Sequence, residues 1–479
     1  MGYIDRAELS LCDASVPAEL AGDFRKWAAE KVRFPDLEKL ASSFQLRRSE
    51  ELGIHAVAKS AIGSGDVIIA EDALLRFPPA QGAARRILQR FRELEEFLTP
   101  ALCVDWQSTT EEARTACRTL FYAHPEMERR SSADSAHIHA CEDLLHMSPE
   151  LSALGWSPAE LLRFLHIVDL NIHKDDERPG NDEYTGIFVL GSKFSHSCEA
   201  NASWSFNDHG QLEYRAIRPI QAGDVLTFSY VGNGMNLITS TLQRRRRLAQ
   251  LCFLCRCPRC EGPDLARALR CPRCAEVKCL PIYGEQDERR LSAAYARSTA
   301  VLDASQWRCT ACNDVVPAEA LPLPVEDELS QLVPRHMQGP PAAAAEDVVA
   351  LRQLRQKAGS ILGPGHWTFF LATFAWLQKC LILLKTETVI PFTEGALREA
   401  SAEVAAWLEA NAPRSIEQRL CALFLAARLA RQLGEGVRDW GYDPVNPLGK
   451  ELEASARLAA LGWELGEGCG AAAGPGLPE

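Results

Sequence analysis

KFSHSCEANASWSF at residues 193–206, EYRAIRPIQAGDVLTFSYVG at 213–232 and LCFLCRCPRC at 251–260 carry most of this chain's chemistry. The first two blocks read as short β-strands between tight turns, because β-branched and aromatic residues alternate or run between Gly, Pro, Asn and Asp. The third places Cys255, Cys257 and Cys260 within six residues. Zinc takes four soft ligands in a tetrahedron, so three local thiolates need one more. Cys252 is the near candidate and Cys198, in the His-Ser-Cys turn, the distant one. A second set follows: Cys271-x-x-Cys274 and Cys309-x-x-Cys312, with Trp307 beside the second pair, have the spacing of a zinc ribbon over residues 268–316. Four thiolates leave no open coordination position, so both sites read as scaffolding. Cys279 is a bystander thiol.

Upstream, residues 44–80 are β-like, and SAIGSGDVIIA (60–70) echoes RPIQAGDVLTF (218–228). The echo predicts two similar hairpins in one β fold. Between 81 and 169 the apolar spacing becomes helical, and Ser157-Pro158 with Glu160 marks a helix start. This block reads as an insert within one domain spanning 44–250. Residues 1–43 read as a helical extension with a helix near 17–31. Downstream, 251–262 form a zinc motif and the Pro- and Ala-rich stretch 317–347 reads as a linker. Helices are expected at 348–362, 367–385, 395–409, 416–433 and 449–465, as a tetratricopeptide-like C-terminal domain over 348–465. The tail 466–479 reads as disordered.

A chain of 479 residues with net charge −12 needs more than one domain and is acidic overall, which argues against general affinity for nucleic acid or anionic membrane. The run Arg244 to Arg247 reads as a helix entering the zinc cluster, its arginines solvated or paired to acidic surface. His173 and His209 read as loop residues. Phe369 to Leu384 contains Gln378 and Lys379 and is short for a bilayer, so it reads as a buried helix. MGYIDRAELS has no apolar signal run, and Arg6 stands where a myristoylation motif wants Ser or Thr. With Cys-x-x-Cys pairs, that predicts reduced thiols in the cytosol and/or nucleus.

KFSHSCEAN resembles the Asn-His-Ser-Cys-x-Pro-Asn turn of SET-domain protein methyltransferases, and GDVLTFSY resembles their Gly-Glu-Glu-Leu-Thr-x-x-Tyr segment. ELGIHAVAKSAIGSGDVIIAE (51–71) is similar to the opening Gly-x-Gly strand pair, and FLCRCPRC to the post-SET cysteine motif. The order is most like that of the SET-and-MYND family, with the helical block 81–169 where that family carries its MYND finger. The resemblance implies an α+β fold: a β-rich SET domain split by a helical insert, a post-SET zinc site, the ribbon and an all-α C-terminal domain. It implies S-adenosylmethionine as cofactor and a protein lysine as methyl acceptor.

Residue by residue, it implies that Gly53, Ile54 and His55 pass their backbone along the cofactor and that Asn171 contacts it. Ser195 and His196 would hold the adenine, Phe253 would stack on it, and Tyr230 would be the active-site tyrosine. It implies Cys198, rather than Cys252, as the fourth ligand with Cys255, Cys257 and Cys260; the ribbon ligands remain Cys271, Cys274, Cys309 and Cys312. Methyl transfer from a sulfonium is an in-line displacement, so alignment supplies much of the rate. The acceptor lysine, with an ordinary pKa of about 10.4, must also lose its proton, which desolvation beside a cation favours. Here His55 replaces the second glycine of Gly-x-Gly, Ser195 the Asn of Asn-His-Ser and Ala200 the proline. The first two support a competing reading, a SET scaffold of little or no activity that binds a protein partner through ribbon and helices; cofactor binding separates the two. The expected assembly is a monomer with no membrane or nucleic-acid partner.

Overall fold

The computed structural model describes residues 11–121, 135–174, 185–231, 235–251, 254–283, 303–386, 392–412 and 416–434. It divides into two compact units: Met1–His196 with Ala200–Phe228, and Ser197–Glu199 with Ser229–Glu479.

In the first unit the helices α1 (Ala18–Lys31) and α2 (Leu37–Ser43) flank β1 (Val32–Phe34). Strand β2 (Phe44–Ser49) then pairs antiparallel with β3 (Gly53–Ala58), from Phe44 opposite Ala58 to Ser49 opposite Gly53. Phe44 and Leu46 are buried while Arg47 and Arg48 are exposed, which is the alternation a half-buried strand requires. Gly53 has φ +62°, a left-handed conformation that a side chain strains, and it starts β3 directly after the turn. Strands β4 (Val67–Glu71), β9 (Ala202–Phe206) and β10 (Leu212–Ala216) join β1 in a sheet of order β1-β4-β10-β9. A second sheet has order β5-β7-β6, from β5 (Leu75–Arg76), β6 (Ile172–His173) and β7 (Gly186–Ile187). Strand β8 (Ser195–His196) pairs parallel with β11 (Thr227–Phe228).

The internal echo forms two similar turns but not the two expected hairpins, because β3 pairs with β2 rather than β4, and β10 with β4 and β9 rather than β11. Ile62 and Ile220 exchange backbone hydrogen bonds of 3.0 Å in each direction. Asp66 accepts from the Gly63 N–H and Asp224 from the Gln221 N–H, each at 2.9 Å. Gly65 (φ +86°) and Gly223 (φ +93°) occupy equivalent left-handed positions. Ala58 N–H donates to the Asp224 carbonyl at 2.9 Å, and Ala216 N–H to that of Asp66 at 3.0 Å. The two Gly-Asp-Val turns therefore face each other about a local two-fold, each tying down the strand the other follows.

Between β5 and β6 the chain is helical: α3 (Gly82–Leu88), α4 (Glu95–Cys103), α5 (Glu111–Thr119), α6 (Ser135–Met147), α7 (Pro149–Ser152) and α8 (Pro158–Asn171). Helix α8 starts with a capping box: Ser157 Oγ accepts from the Glu160 N–H, and Glu160 accepts from the Ser157 N–H. Its inner face buries Leu161, Leu162, Phe164, Leu165, Ile167 and Val168, each side chain contributing about 1.5–3 kcal/mol by removal from water. Trp106 meets Trp156 and Phe164 edge-on at 5.2 and 5.3 Å.

The second unit begins with α9 (Thr241–Gln250), capped by Ser240, and the short α10 (Pro258–Glu261) after Cys257. The strands β12 (Leu269–Arg270), β13 (Val277–Ile282), β14 (Gln306–Cys309) and β15 (Val315–Pro317) form an antiparallel sheet in sequence order. Trp307 is fully buried beneath the Arg267 guanidinium, 4.9 Å from it. Helices α11 (Leu323–Gln338), α12 (Ala344–Ile361), α13 (Trp367–Lys385), α14 (Glu394–Asn411) and α15 (Ile416–Gln432) follow, each of the last three packed on its predecessor. Helix α13 is long and apolar enough to cross a membrane, yet 78% of its apolar window is buried in the fold.

Some expectations change. The N-terminal segment is not a separate helical extension, because Val32 and Phe34 pair with Glu71 and Ala70 of β4, and Leu46 of β2 forms a parallel bridge with Cys12. The stretch expected as a linker, 317–347, holds the helix α11. Pro324 sits in that helix's first turn, where a missing N–H costs nothing, and Glu326, Leu329 and Val333 fall on one buried stripe. His173 is not in a polar loop but in β6, 3% exposed. The helix expected at 449–465 and the tail 466–479 lie outside the described residues.

Candidate active site

In the first unit, three backbone segments meet at residues 224–228. Ala58 N–H reaches the Asp224 carbonyl and Leu226 N–H the Ala56 carbonyl (2.9 Å each), while Ser195 N–H reaches the Leu226 carbonyl at 3.0 Å. The segment ending in Thr227 and Phe228 thus lies between β3 and β8, joined to the Ala56–Ala58 half of β3 on one side and to the Ser195–His196 pair on the other. Gly53 is exposed, and a Cβ built on it would meet no atom within 4 Å. His55 keeps regular pairing with Arg47, and its Nδ1 lies 3.1 Å from the Gly53 carbonyl. The Cβ at that position therefore leaves the strand's path unbent, with the ring folded back on its own backbone.

Asn171 ends α8, and its side-chain amide donates to the Ile167 carbonyl at 2.7 Å. Ser195 and His196 are buried on β8. Tyr230 belongs to the second unit; 37% of its surface is exposed, while burial raises its pKa above that of a free tyrosine. Phe253 and Cys252 lie outside the described residues.

Asn201, the last residue of the His-Ser-Cys turn, is a strand-clamping position that sequence reasoning passed over. Its side chain donates to the Val225 carbonyl at 2.8 Å and accepts from the Thr227 N–H at 2.8 Å and the Thr227 hydroxyl at 3.2 Å. At 4% exposure it takes the place of a missing strand and holds residues 225–227 in line with β8. The signal lay in the quoted turn itself, since a buried Asn can satisfy a backbone donor and acceptor together.

In the second unit, Cys198, Cys255, Cys257 and Cys260 offer sulfurs that all lie within 4.8 Å of one another, as do Cys271, Cys274, Cys309 and Cys312. Cys198 Sγ is 3.5 Å from Cys260 Sγ and 4.0 Å from Cys255 Sγ. In the ribbon, Cys271 to Cys312 is 3.7 Å and Cys274 to Cys309 3.6 Å. Sulfurs on a zinc tetrahedron with bonds of about 2.3 Å sit about 3.8 Å apart, so both donor sets fit Zn²⁺ without rearrangement. Each set could hold one ion as scaffold.

The arginine run needs correction: Arg244 and Arg245 are 1% and 4% exposed, not solvated. Arg244 donates to the Thr239 carbonyl, to Thr241 Oγ1 at 3.0 Å and toward Cys260 Sγ at 3.6 Å. Burial alone would lower its pKa, but the Cys260 and Cys198 sulfurs and Asp264 hold it above the ordinary value. A zinc ion held by four thiolates would carry excess negative charge, which this buried cation would offset. A run of arginines does not by itself say which one turns inward.

Residues 53–231 match the family model of the SET domain. This segment is a SET domain. The chain is 39% identical over 79 residues to mouse histone-lysine N-methyltransferase SMYD3, covering 16% of this chain and 18% of that protein. It is 30% identical over 140 residues to chicken protein-lysine N-trimethyltransferase SMYD5, covering 28% and 32%. A SET and MYND domain-containing protein of Dictyostelium discoideum is 33% identical over 147 residues, covering 29% and 27%. The chain therefore spans about a fifth to a third of the length of these relatives. Among solved structures, the SET domain of LSMT bound to lysine and AdoHcy superposes over 93% of this chain and 94% of its own, at 14% identity and a TM-score of 0.32; a likeness that weak carries no argument.

Proposed function

We propose that the chain is a SET-type protein-lysine N-methyltransferase that uses S-adenosylmethionine, with a lysine-bearing protein as substrate. The observation that carries the reading is that residues 224–228 join β3, the strand that opens at Gly53, to the buried Ser195–His196 pair of β8. Gly53 is exposed with no side chain over its backbone, so a ligand can approach that backbone closely. Gly53, Ile54, His55, Asn171, Ser195 and His196 would hold the cofactor, with Phe253 and Tyr230 assigned by resemblance. The cofactor, when bound, supplies an electrophilic methyl group on a sulfonium. The chain's part is to bind, orient and exclude water. Backbone groups of 53–55 and 195–196 not used in strand pairing would offer donors and acceptors that need no reorganisation, and the Tyr230 hydroxyl, assigned by resemblance, would donate to or accept from an acceptor amine.

The two four-thiol sets are proposed as structural zinc sites, and the helices α12–α15 as the surface for a further protein partner. Among the described residues every cysteine is a free thiol, which suits the proposed cytosolic or nuclear setting. The competing reading, an inactive SET scaffold, rests on His55 and Ser195.

Calorimetric titration of zinc-loaded protein with S-adenosylmethionine and its demethylated product decides between them, followed by labelled methyl transfer onto histones and other lysine-rich proteins. Micromolar binding by wild type is expected. Tyr230→Phe should keep binding and lose transfer by about 10²-fold or more. Binding that appears only in His55→Gly would mean that His55 closes the pocket, and the scaffold reading would lead.

A further inference from the structure

The centre of the first unit holds a histidine that nothing in the proposed chemistry uses. His173 lies two residues past Asn171, is 3% exposed, and has one well-formed hydrogen bond, from Nε2 to the Tyr214 hydroxyl at 2.7 Å. Four rings enclose it. Phe228 stacks on it at 5.5 Å and 26°, while Phe188, Trp204 and Tyr214 meet it edge-on at 5.6, 5.2 and 5.9 Å. Tyr214 in turn stacks on Phe194 at 4.1 Å and 20°. Its Nδ1 makes no well-formed hydrogen bond, although the neighbouring Asn171 backbone acts on it electrostatically. Burial lowers the pKa to about 3, that backbone opposing, so the ring stays neutral throughout the physiological range.

A neutral polar ring in an apolar box costs free energy that phenylalanine would avoid. It is retained where its hydrogen bond fixes a geometry. The groups it joins are telling. Phe194 immediately precedes Ser195, Phe228 pairs with His196 in the β8–β11 ladder, and Asn171 is two residues away. A ring on Phe228 bonded to Tyr214, which covers Phe194, therefore couples α8's end to both strands of the candidate cofactor layer.

We infer that His173 is a positioning residue for cofactor binding: through Tyr214 and Phe228 it holds Asn171 in register with Ser195–His196 and Thr227–Phe228. The inference rests on the methyltransferase reading for its ligand, and on geometry alone for the coupling.

The variants His173→Phe, Tyr214→Phe and the double variant test it. Hydrogen exchange on the ligand-free proteins reads the coupling without any cofactor: residues 171–173, 195–196 and 226–228 should exchange about ten-fold faster in each single variant, and no faster in the double. Titration with the demethylated cofactor should show about ten-fold weaker binding. In turnover, KM for S-adenosylmethionine should rise by the same factor while kcat at saturation stays within two-fold. A merely destabilised fold would instead lower the active fraction, and with it kcat, at constant KM. Exchange that is unchanged, or additive in the double variant, overturns the inference. So does unchanged affinity in variants of a wild type that binds. If wild type binds no cofactor, the methyltransferase reading fails separately and the exchange result alone judges the coupling.

Discussion

Asn201→Ala should both destabilise the first unit and weaken the cofactor layer. The amide is 4% exposed and links the Val225 carbonyl with the Thr227 N–H and hydroxyl at 2.8, 2.8 and 3.2 Å. Removing it strands a backbone acceptor and a backbone donor in a buried segment, each costing about 1–3 kcal/mol. Water entering the vacated volume recovers part of that, so the net cost is about 3 kcal/mol. For a unit of this size that lowers Tm by about 6–12 °C. Thr227→Val removes only the hydroxyl contact and should cost about 1 kcal/mol. Asn201→Asp keeps the acceptor for Thr227 but sets an anionic oxygen against the Val225 carbonyl, so it should fall no closer to wild type than Thr227→Val does. Differential scanning calorimetry of zinc-loaded protein, following the transition of the first unit, measures all three. Titration with the demethylated cofactor should weaken in the same order. A shift under about 2 °C for Asn201→Ala, with unaltered cofactor affinity, would refute the assignment of Asn201 as the clamp on this strand.

Three further outcomes follow from particular groups. Glu326, 1% exposed, accepts from Arg267 at 2.7–2.9 Å and from Trp367 Nε1 at 2.8 Å. Burial would raise its pKa, but Arg267 and His366 hold it well below the usual carboxylate range. Its contribution is therefore present above the unfolded value of about 4.5 and lost as pH falls below it. Asp303 remains to Arg267, so Glu326→Gln should cost about 3 kcal/mol, constant between pH 8 and 9 by thermal melts, above the range in which an imidazole such as the neighbouring His366 ordinarily charges; a difference that varies in that window would contradict this account. Burial raises the pKa of Glu71 to about 7 against backbone N–H donors and Lys193, and lowers that of Lys193 to about 7 against Glu71. The Glu71 contribution is complete below pH about 4.5 and lost as pH rises through about 7; that of Lys193 is complete above about 10.5 and lost as pH falls through about 7. Relative to wild type, Glu71→Gln should thus gain stability between pH 5 and 7.5, measured as Tm; a constant offset would show that Glu71 does not titrate there. In the ribbon Cys312 is exposed, whereas Cys198, Cys255 and Cys260 are buried. Chelator with a zinc-sensitive dye should release the ribbon ion first, and Cys312→Ser should lower the bound zinc from two to one equivalent without changing the slow phase; simultaneous release would refute the difference.

Much of this protein is legible in residues that act through their neighbours in sequence. The Gly-Asp-Val echoes are local: a glycine at positive φ and an aspartate closing its own turn need nothing distant, and both turns follow from them, whereas the strands beside each turn find their partners elsewhere in the sheets. The Ser157–Glu160 capping box and the Cys-x-x-Cys knuckles are local for the same reason. What the tertiary structure decided is which local features meet. Ile62 finds Ile220, Asn201 finds Val225 and Thr227, and Cys198 joins three thiols more than fifty residues on, pairings that spacing does not encode because the intervening chain sets the distance. Polar residues turned inward were the least legible. His173, Arg244 and Glu326 read as loop or surface because their residue types favour water, and each is buried only because a partner from elsewhere satisfies it: Tyr214, the Cys260 sulfur and Arg267. Burial of a polar group is a property of the pair, and the pair exists only in the folded chain.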